Sequence, residues 1–208
     1  MLKLFTALAL LVLTAGGGAA APQTILALGD SLTAGLGLGP ADVFPVKLEA
    51  ALKARGHDVK VINAGVSGDT AADGAARLDW ALSEPVNAVI VELGANDALR
   101  GMPVAQAEQA LDQLLTALEQ KKLPTLLAGM KAPPNMGPDY QSQFDGMYQR
   151  LAAKHPAVLF YPFFLDGVAA DPKLNQGDGM HPNPAGVDVI VGRILPSVEQ
   201  LLGKTAGN

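Results

Sequence analysis

The residues best suited to chemistry in this chain stand at four separated places. Gly29-Asp30-Ser31-Leu32 follows a short apolar run, Thr24 to Leu28. A serine at the end of a buried strand, on a sharp turn into a helix, presents its hydroxyl to the crevice where open α/β sheets bind ligands. Taken alone, Gly29 would only make the turn and Asp30 or Ser31 would only cap the next helix. Three partners further along add to that. Ala64-Gly65-Val66-Ser67-Gly68-Asp69-Thr70 holds two glycines, and Gly94-Ala95-Asn96-Asp97 closes another apolar run. Asp178-Gly179-Met180-His181-Pro182 sets a carboxylate three residues before an imidazole.

Acyl transfer through a serine requires a nucleophile, a base for its proton, and donors for the oxygen that becomes negative. Ser31 supplies the hydroxyl and one backbone N–H. Gly65 lets the backbone approach closely and offers a second N–H, and the Asn96 side-chain amide is a third donor. The base must be one of three histidines. His57 precedes the second strand and His155 precedes the fifth, at the wrong end of the sheet, and both read as surface residues. That leaves His181. Asp178 reaches back through Gly179 to accept from its imidazole, which fixes the tautomer and leaves the other ring nitrogen for Ser31. Asp-x-x-His is also half of a metal site, but the chain has no cysteine and its other histidines lie elsewhere, so no metal is expected. No cofactor is expected either. Gly35, Gly37 and Gly39 lack the spacing of a dinucleotide fingerprint, and no Gly-x-Ser-x-Gly elbow is present.

The elements that must position these residues alternate. Apolar runs at 24–29, 58–63, 87–93, 124–130 and 157–161 read as strands, and Asn87 to Leu93 is the most β-branched. Helical spacing covers 45–55, a segment capped by Asp69 or Thr70 and running to about Ser83, 103–120, 139–154 and 184–202. Residues 131–137 form a proline-rich loop, and 163–183 form a long irregular segment of the kind that usually carries function. Strands alternating with helices give one α/β domain with a five-stranded parallel sheet. The doubly wound order 2-1-3-4-5 brings the loops after strands one, two and three to one edge.

Composition narrows the class further. The 208 residues are 49% hydrophobic and 17% charged, with a net charge of −5 and no basic cluster, which argues against nucleic acid or an anionic membrane as partner. Met1-Leu2-Lys3, the apolar run Leu4 to Leu13 and Ala19-Ala20-Ala21 have the plan of a cleaved export signal over residues 1–21. Residues 22–208 are then the folded, exported domain, periplasmic or secreted, with no stable membrane insertion, and a monomer.

The four blocks resemble those of the GDSL, or SGNH, hydrolases in order and spacing over residues 23–202. Within that superfamily the chain is most similar to the exported bacterial acyl thioesterase, lysophospholipase and arylesterase group. The resemblance implies a flavodoxin-like three-layer fold, with Ser31 as nucleophile, His181 as acid and base, and Asp178 as its orienter. Gly65 and Asn96 would join the Ser31 amide in the oxyanion hole. Ala95 stands where the family often has glycine. Implied substrates are small acyl esters, thioesters and single-chain lipids, held in an acyl groove whose candidate walls are Pro133, Met136, Phe163 and Met180. A carbohydrate O-acetyl esterase is the alternative, although Trp80 is the only tryptophan available for sugar stacking. A non-catalytic binding protein would need a defect in one block, and none is visible.

Overall fold

The five apolar runs pair side by side in a single sheet. The computed structural model describes residues 22–205. β1 (Gln23–Gly29), β2 (Val59–Gly65), β3 (Ala88–Glu92), β4 (Thr125–Ala128) and β5 (Leu159–Tyr161) are parallel and ordered β2-β1-β3-β4-β5. β3 is central and buried at every residue, which is why its sequence is continuously apolar, rather than alternating, up to Glu92. The leader read over residues 1–21 lies outside the described residues. Among the described residues, no helix is long and apolar enough to cross a membrane.

Helices cover both faces of the sheet. α1 (Ser31–Ala34) is a single turn, followed by α2 (Phe44–Ala54), α3 (Ala71–Ala76), α4 (Leu78–Ala81), α5 (Ala95–Leu99), α6 (Val104–Gln120), α7 (Pro138–Lys154) and α8 (Pro184–Thr205). α2 packs on α8, while α6 packs on both α3 and α7. The buried stripe of α6 is Ala107, Leu111, Leu114, Leu115 and Leu118, and each leucine removed from water contributes about 1.5–3 kcal/mol. Val187, Ile190, Val191, Ile194 and Val198 do the same for α8.

Three features differ from the sequence expectation. The helix expected from Asp69 or Thr70 to Ser83 is two helices. Thr70 caps α3 in a reciprocal box with Asp73, but Arg77 leaves helical geometry, and its guanidinium binds the Asp69 carboxylate at 2.6 Å and the Gly29 carbonyl at 2.9 Å. α1 and α5 span four and five residues, too short to show a period. His155 is not a surface residue. It is 3% exposed, with Nδ1 2.9 Å from Glu119 and Nε2 2.9 Å from Asp112, so both ring nitrogens face carboxylates of α6. The position between a helix end and a proline gave no hint of α6 passing beside it.

His155 therefore pins the end of α7 to α6, far from the carboxyl edge of the sheet. His155→Ala should lower stability by about 1–3 kcal/mol, because it opens a void and removes the ring that bridges Glu119 and Asp112. Urea unfolding should register this loss as a lower midpoint.

Candidate active site

Three loops leave the carboxyl edge of the sheet from one rung. Gly29 of β1 is in register with Gly65 of β2 on one side and Glu92 of β3 on the other. The residues that follow are set side by side: Asp30 and Ser31, Val66 to Asp69, and Leu93 to Asn96.

Both readings of Gly-Asp-Ser are realised there. Asp30 caps α1 by accepting from the Leu32 amide at 2.9 Å, which leaves the Ser31 hydroxyl for another partner. Ser31 Oγ lies 2.9 Å from His181 Nε2, and His181 Nδ1 lies 2.6 Å from Asp178 Oδ2. Asp178 Oδ1 also accepts from the amides of Met180 at 2.9 Å and His181 at 3.0 Å. Gly179 makes this tight fold possible at φ +70°, where a side chain would be strained. The His181 amide, its ring and the Met180 amide together hold the Asp178 carboxyl down at about 2. An anion there favours the tautomer with Nδ1–H donating to it, which leaves Nε2 facing Ser31 Oγ. The long segment 163–183 is a compact loop. The Asn175 side chain donates to the Val168 and Asp171 carbonyls, and the Gln176 side chain ties the segment to the Leu36 carbonyl beside α1.

The donors differ from the sequence expectation. Gly65 is not an available donor. Its amide binds Asn63 Oδ1 at 3.0 Å, and a Cβ there would lie 2.2 Å from the Ala34 backbone nitrogen, so the glycine serves the close packing of β2 on α1. The physical reason is that β2 runs two residues further than 58–63, so Gly65 is still strand. Gly68 is the glycine that lines the crevice, at φ +91°, with its carbonyl held by Arg100 at 2.7 Å. Among the described residues the amides of Ser31 and Gly68 reach no protein acceptor. The usable sequence signal was the second glycine of the loop, placed beyond the alternating stretch. Asn96 lines the crevice as expected, yet Nδ2 donates to Asp30 Oδ2 at 3.1 Å and to the Asp69 carbonyl at 2.9 Å, which engages both hydrogens.

Beside Ser31 opens a cavity of about 670 Å³. Pro133, Phe163 and Met180 line it, as expected. Met136 does not. It sits on a 3₁₀ turn, Pro134–Met136, against Gly101. Leu36, Leu99, Met130 and Leu165 complete the apolar wall. None was foreseen: Leu36 and Leu99 follow or end turns too short to read, Met130 lies just past the strand expected to include it, and Leu165 follows β5 within the irregular segment. Lys131 stands 5.0 Å above the Phe163 ring, a cation–π contact at the rim.

Comparison with known proteins places this geometry. The model of the GDSL-like lipase/acylhydrolase family matches residues 27–189. The chain belongs to that family. Esterase TesA of Pseudomonas aeruginosa is 40% identical over 184 residues, 88% of this chain and 91% of that one. Thioesterase 1/protease 1/lysophospholipase L1 of Escherichia coli K12 is 39% identical over 166 residues, 79% and 78% of the two chains. The crystal structure of AlinE4, an SGNH-hydrolase family esterase, superposes with a TM-score of 0.75 at 46% identity, covering 89% of this chain and 99% of that one. The flavodoxin-like order of this GDSL-like acylhydrolase thus belongs to its family.

Two outcomes follow from the site's packing and charge. Gly65→Ala should cost about 1–3 kcal/mol in urea unfolding, because the new methyl meets backbone that cannot yield. The second concerns Asp30, which is fully buried, and burial raises its carboxyl to about 6 against the pull of the Leu32 amide and His181. The folded chain then holds this proton more tightly than the unfolded chain, so Asp30's contribution to stability falls as pH rises from about 4 to about 6. Asp178 has the opposite sign, and its contribution is lost as pH falls from about 4 towards 2. In Asp30→Asn, urea midpoints measured between pH 4 and 7 should decline less with rising pH than in wild type.

Proposed function

We propose that the chain is a serine esterase that hydrolyses carboxylic esters and thioesters through an acyl-enzyme on Ser31. The observation that carries this is the unbroken hydrogen-bonded line Ser31–His181–Asp178 at the side of an apolar cavity. In the first half-reaction His181 Nε2 takes the Ser31 proton as Oγ bonds to the acyl carbon, and the carbonyl electrons pass to its oxygen. That oxygen is received by the amides of Ser31 and Gly68, and by Asn96 Nδ2, which turns one hydrogen from Asp30 as the negative charge develops. Collapse expels the alcohol or thiol, which takes the proton from His181. Water activated by the same imidazole then releases the acid and restores Ser31.

The cavity suits one flexible acyl chain, and among the described residues no cap covers it, so the leaving group remains in solvent. Small aryl esters, thioesters and single-chain lipids fit this shape, in line with the names of the relatives. Carbohydrate O-acetyl esterase activity is disfavoured because Trp80 is 71% exposed and stands outside the crevice lining, which leaves no tryptophan for sugar stacking. The lysine-led apolar run at 3–13 and Ala19–Ala21 support export, with the mature enzyme acting as a monomer outside the cytoplasm.

Turnover of a chain-length series of p-nitrophenyl esters tests the assignment. Ser31→Ala and His181→Ala should lower kcat on the order of 10⁴-fold or more. Asn96→Ala should lower it by about 10²–10³-fold. Full turnover by folded Ser31→Ala would overturn the mechanism.

A further inference from the structure

Glu92 is fully buried beneath the site and takes no part in the steps above. It ends β3 on the same rung as Gly29. Its Oε2 accepts from the Thr33 hydroxyl at 2.8 Å, and its Oε1 has no hydrogen-bond partner. Among the described residues it forms no ion pair with Lys, Arg or His, and the charge that acts on its carboxyl is that of Asp30, another buried acid. An unpaired carboxyl in such a place costs several kcal/mol relative to water, and an aliphatic side chain would avoid that cost. Burial, with Asp30 beside it, outweighs the pull of the Asp30 and Thr33 amides and pushes the Glu92 carboxyl well above the usual range, which favours its neutral form.

What Glu92 holds is the turn that carries Ser31. α1 is four residues long, far below the length at which a helix keeps its own shape, so tertiary contacts must set its direction. Thr33 is its third residue, and its hydroxyl reaches Glu92 through the space that Gly29 leaves empty. A Cβ on Gly29 would lie 2.1 Å from Thr33 Oγ1 and 2.7 Å from Glu92 Oε2. Gly29, Thr33 and Glu92 are therefore one unit, in which the missing side chain makes room for the bond. Asp30 holds the start of the same turn through the Leu32 amide.

We propose that Glu92 is a positioning residue, which through Thr33 fixes α1 so that Ser31 Oγ stays within reach of His181 Nε2. The proposal rests on Ser31 being the nucleophile. A displacement of about 1 Å in a reacting atom lowers rate by as much as about 10²-fold, so a loose turn would show in kcat more than in KM.

The test uses Thr33→Val, which keeps the shape and removes the hydroxyl, with Thr33→Ser, Glu92→Gln and Glu92→Leu. Each is assayed for kcat and KM on p-nitrophenyl butyrate and for the rate of p-nitrophenol release from a p-nitrophenyl alkylphosphonate, below its melting temperature. Thr33→Val and Glu92→Leu should lower kcat and the phosphonylation rate together by about 10–100-fold, with KM within about threefold of wild type. Thr33→Ser should restore both rates, and Glu92→Gln, which keeps an acceptor, should fall between. If Thr33→Val melts earlier but retains wild-type kcat and phosphonylation, Glu92 is only a structural brace and the proposal fails. Thr33→Val decides the matter alone should Glu92→Leu not fold. Absence of phosphonylation at Ser31 in the wild-type protein would instead overturn the nucleophile assignment, and this proposal with it.

Discussion

The structure depends on one rung of its parallel sheet, where Gly65, Gly29 and Glu92 lie abreast at the carboxyl edge. Parallel pairing makes all three strands end together, so the residues that follow them emerge as neighbours. Two of the three rung positions are glycine, and each omits a side chain for a different neighbour. Gly29 leaves room for the Thr33–Glu92 bond, and Gly65 lets β2 lie against the backbone of α1. Slipping either pairing by one residue would turn Ser31 or Asn96 away from the crevice.

Behind the rung the site is unusually acidic. Asp30, Glu92 and Asp97 are all buried, and burial raises each carboxyl. Their hydrogen bonds connect the loops. Asp30 receives Leu32 and Asn96, while Asp97 receives the Ala71 amide at the start of α3. Arg77 binds both Asp69 and the Gly29 carbonyl, which joins the loop after β2 to the end of β1. α7 secures the loop after β3 from behind, through the Tyr148 hydroxyl on the Leu93 carbonyl and the Tyr140 hydroxyl on the Met102 carbonyl. Gly94 stands at φ +115°, and a Cβ there would also meet the Tyr148 hydroxyl at 2.3 Å, so both conformation and space require glycine. The crevice is thus held by many short bonds to backbone, and loops of this kind move little.

The Asp178–His181 pair follows a different principle. It owes nothing to the sheet, because both residues belong to one irregular segment and bond across three positions through Gly179. That local closure is why the pair was legible in Asp-x-x-His. Its pairing with Ser31 was expected only by elimination among three histidines, and the contact itself depends on Gln176 tying the segment to the Leu36 carbonyl beyond α1 and on Asn175 tying the segment to itself.

The amino-acid sequence by itself marked the strands and the long helices, because hydrophobic period and turn stereochemistry are local, and the connection rules for alternating strands and helices pointed to the sheet order. It named Ser31, Asn96, Asp178 and His181, which the fold brings to one crevice. It marked Gly65 where Gly68 lines the crevice, Met136 where Leu36 and Leu99 do, and the surface where His155 is buried. Tertiary structure decided these. Whether an amide is free depends on what else takes its hydrogen bond. For Gly65 that was settled by two further residues of β2 and the side chain of Asn63, and for Asn96 by Asp30 and Asp69. Whether a side chain is buried depends on which distant helix crosses it, as α6 does at His155. Hydrogen-bond donors and apolar walls are shared between segments remote in sequence, so only the folded chain assigns them.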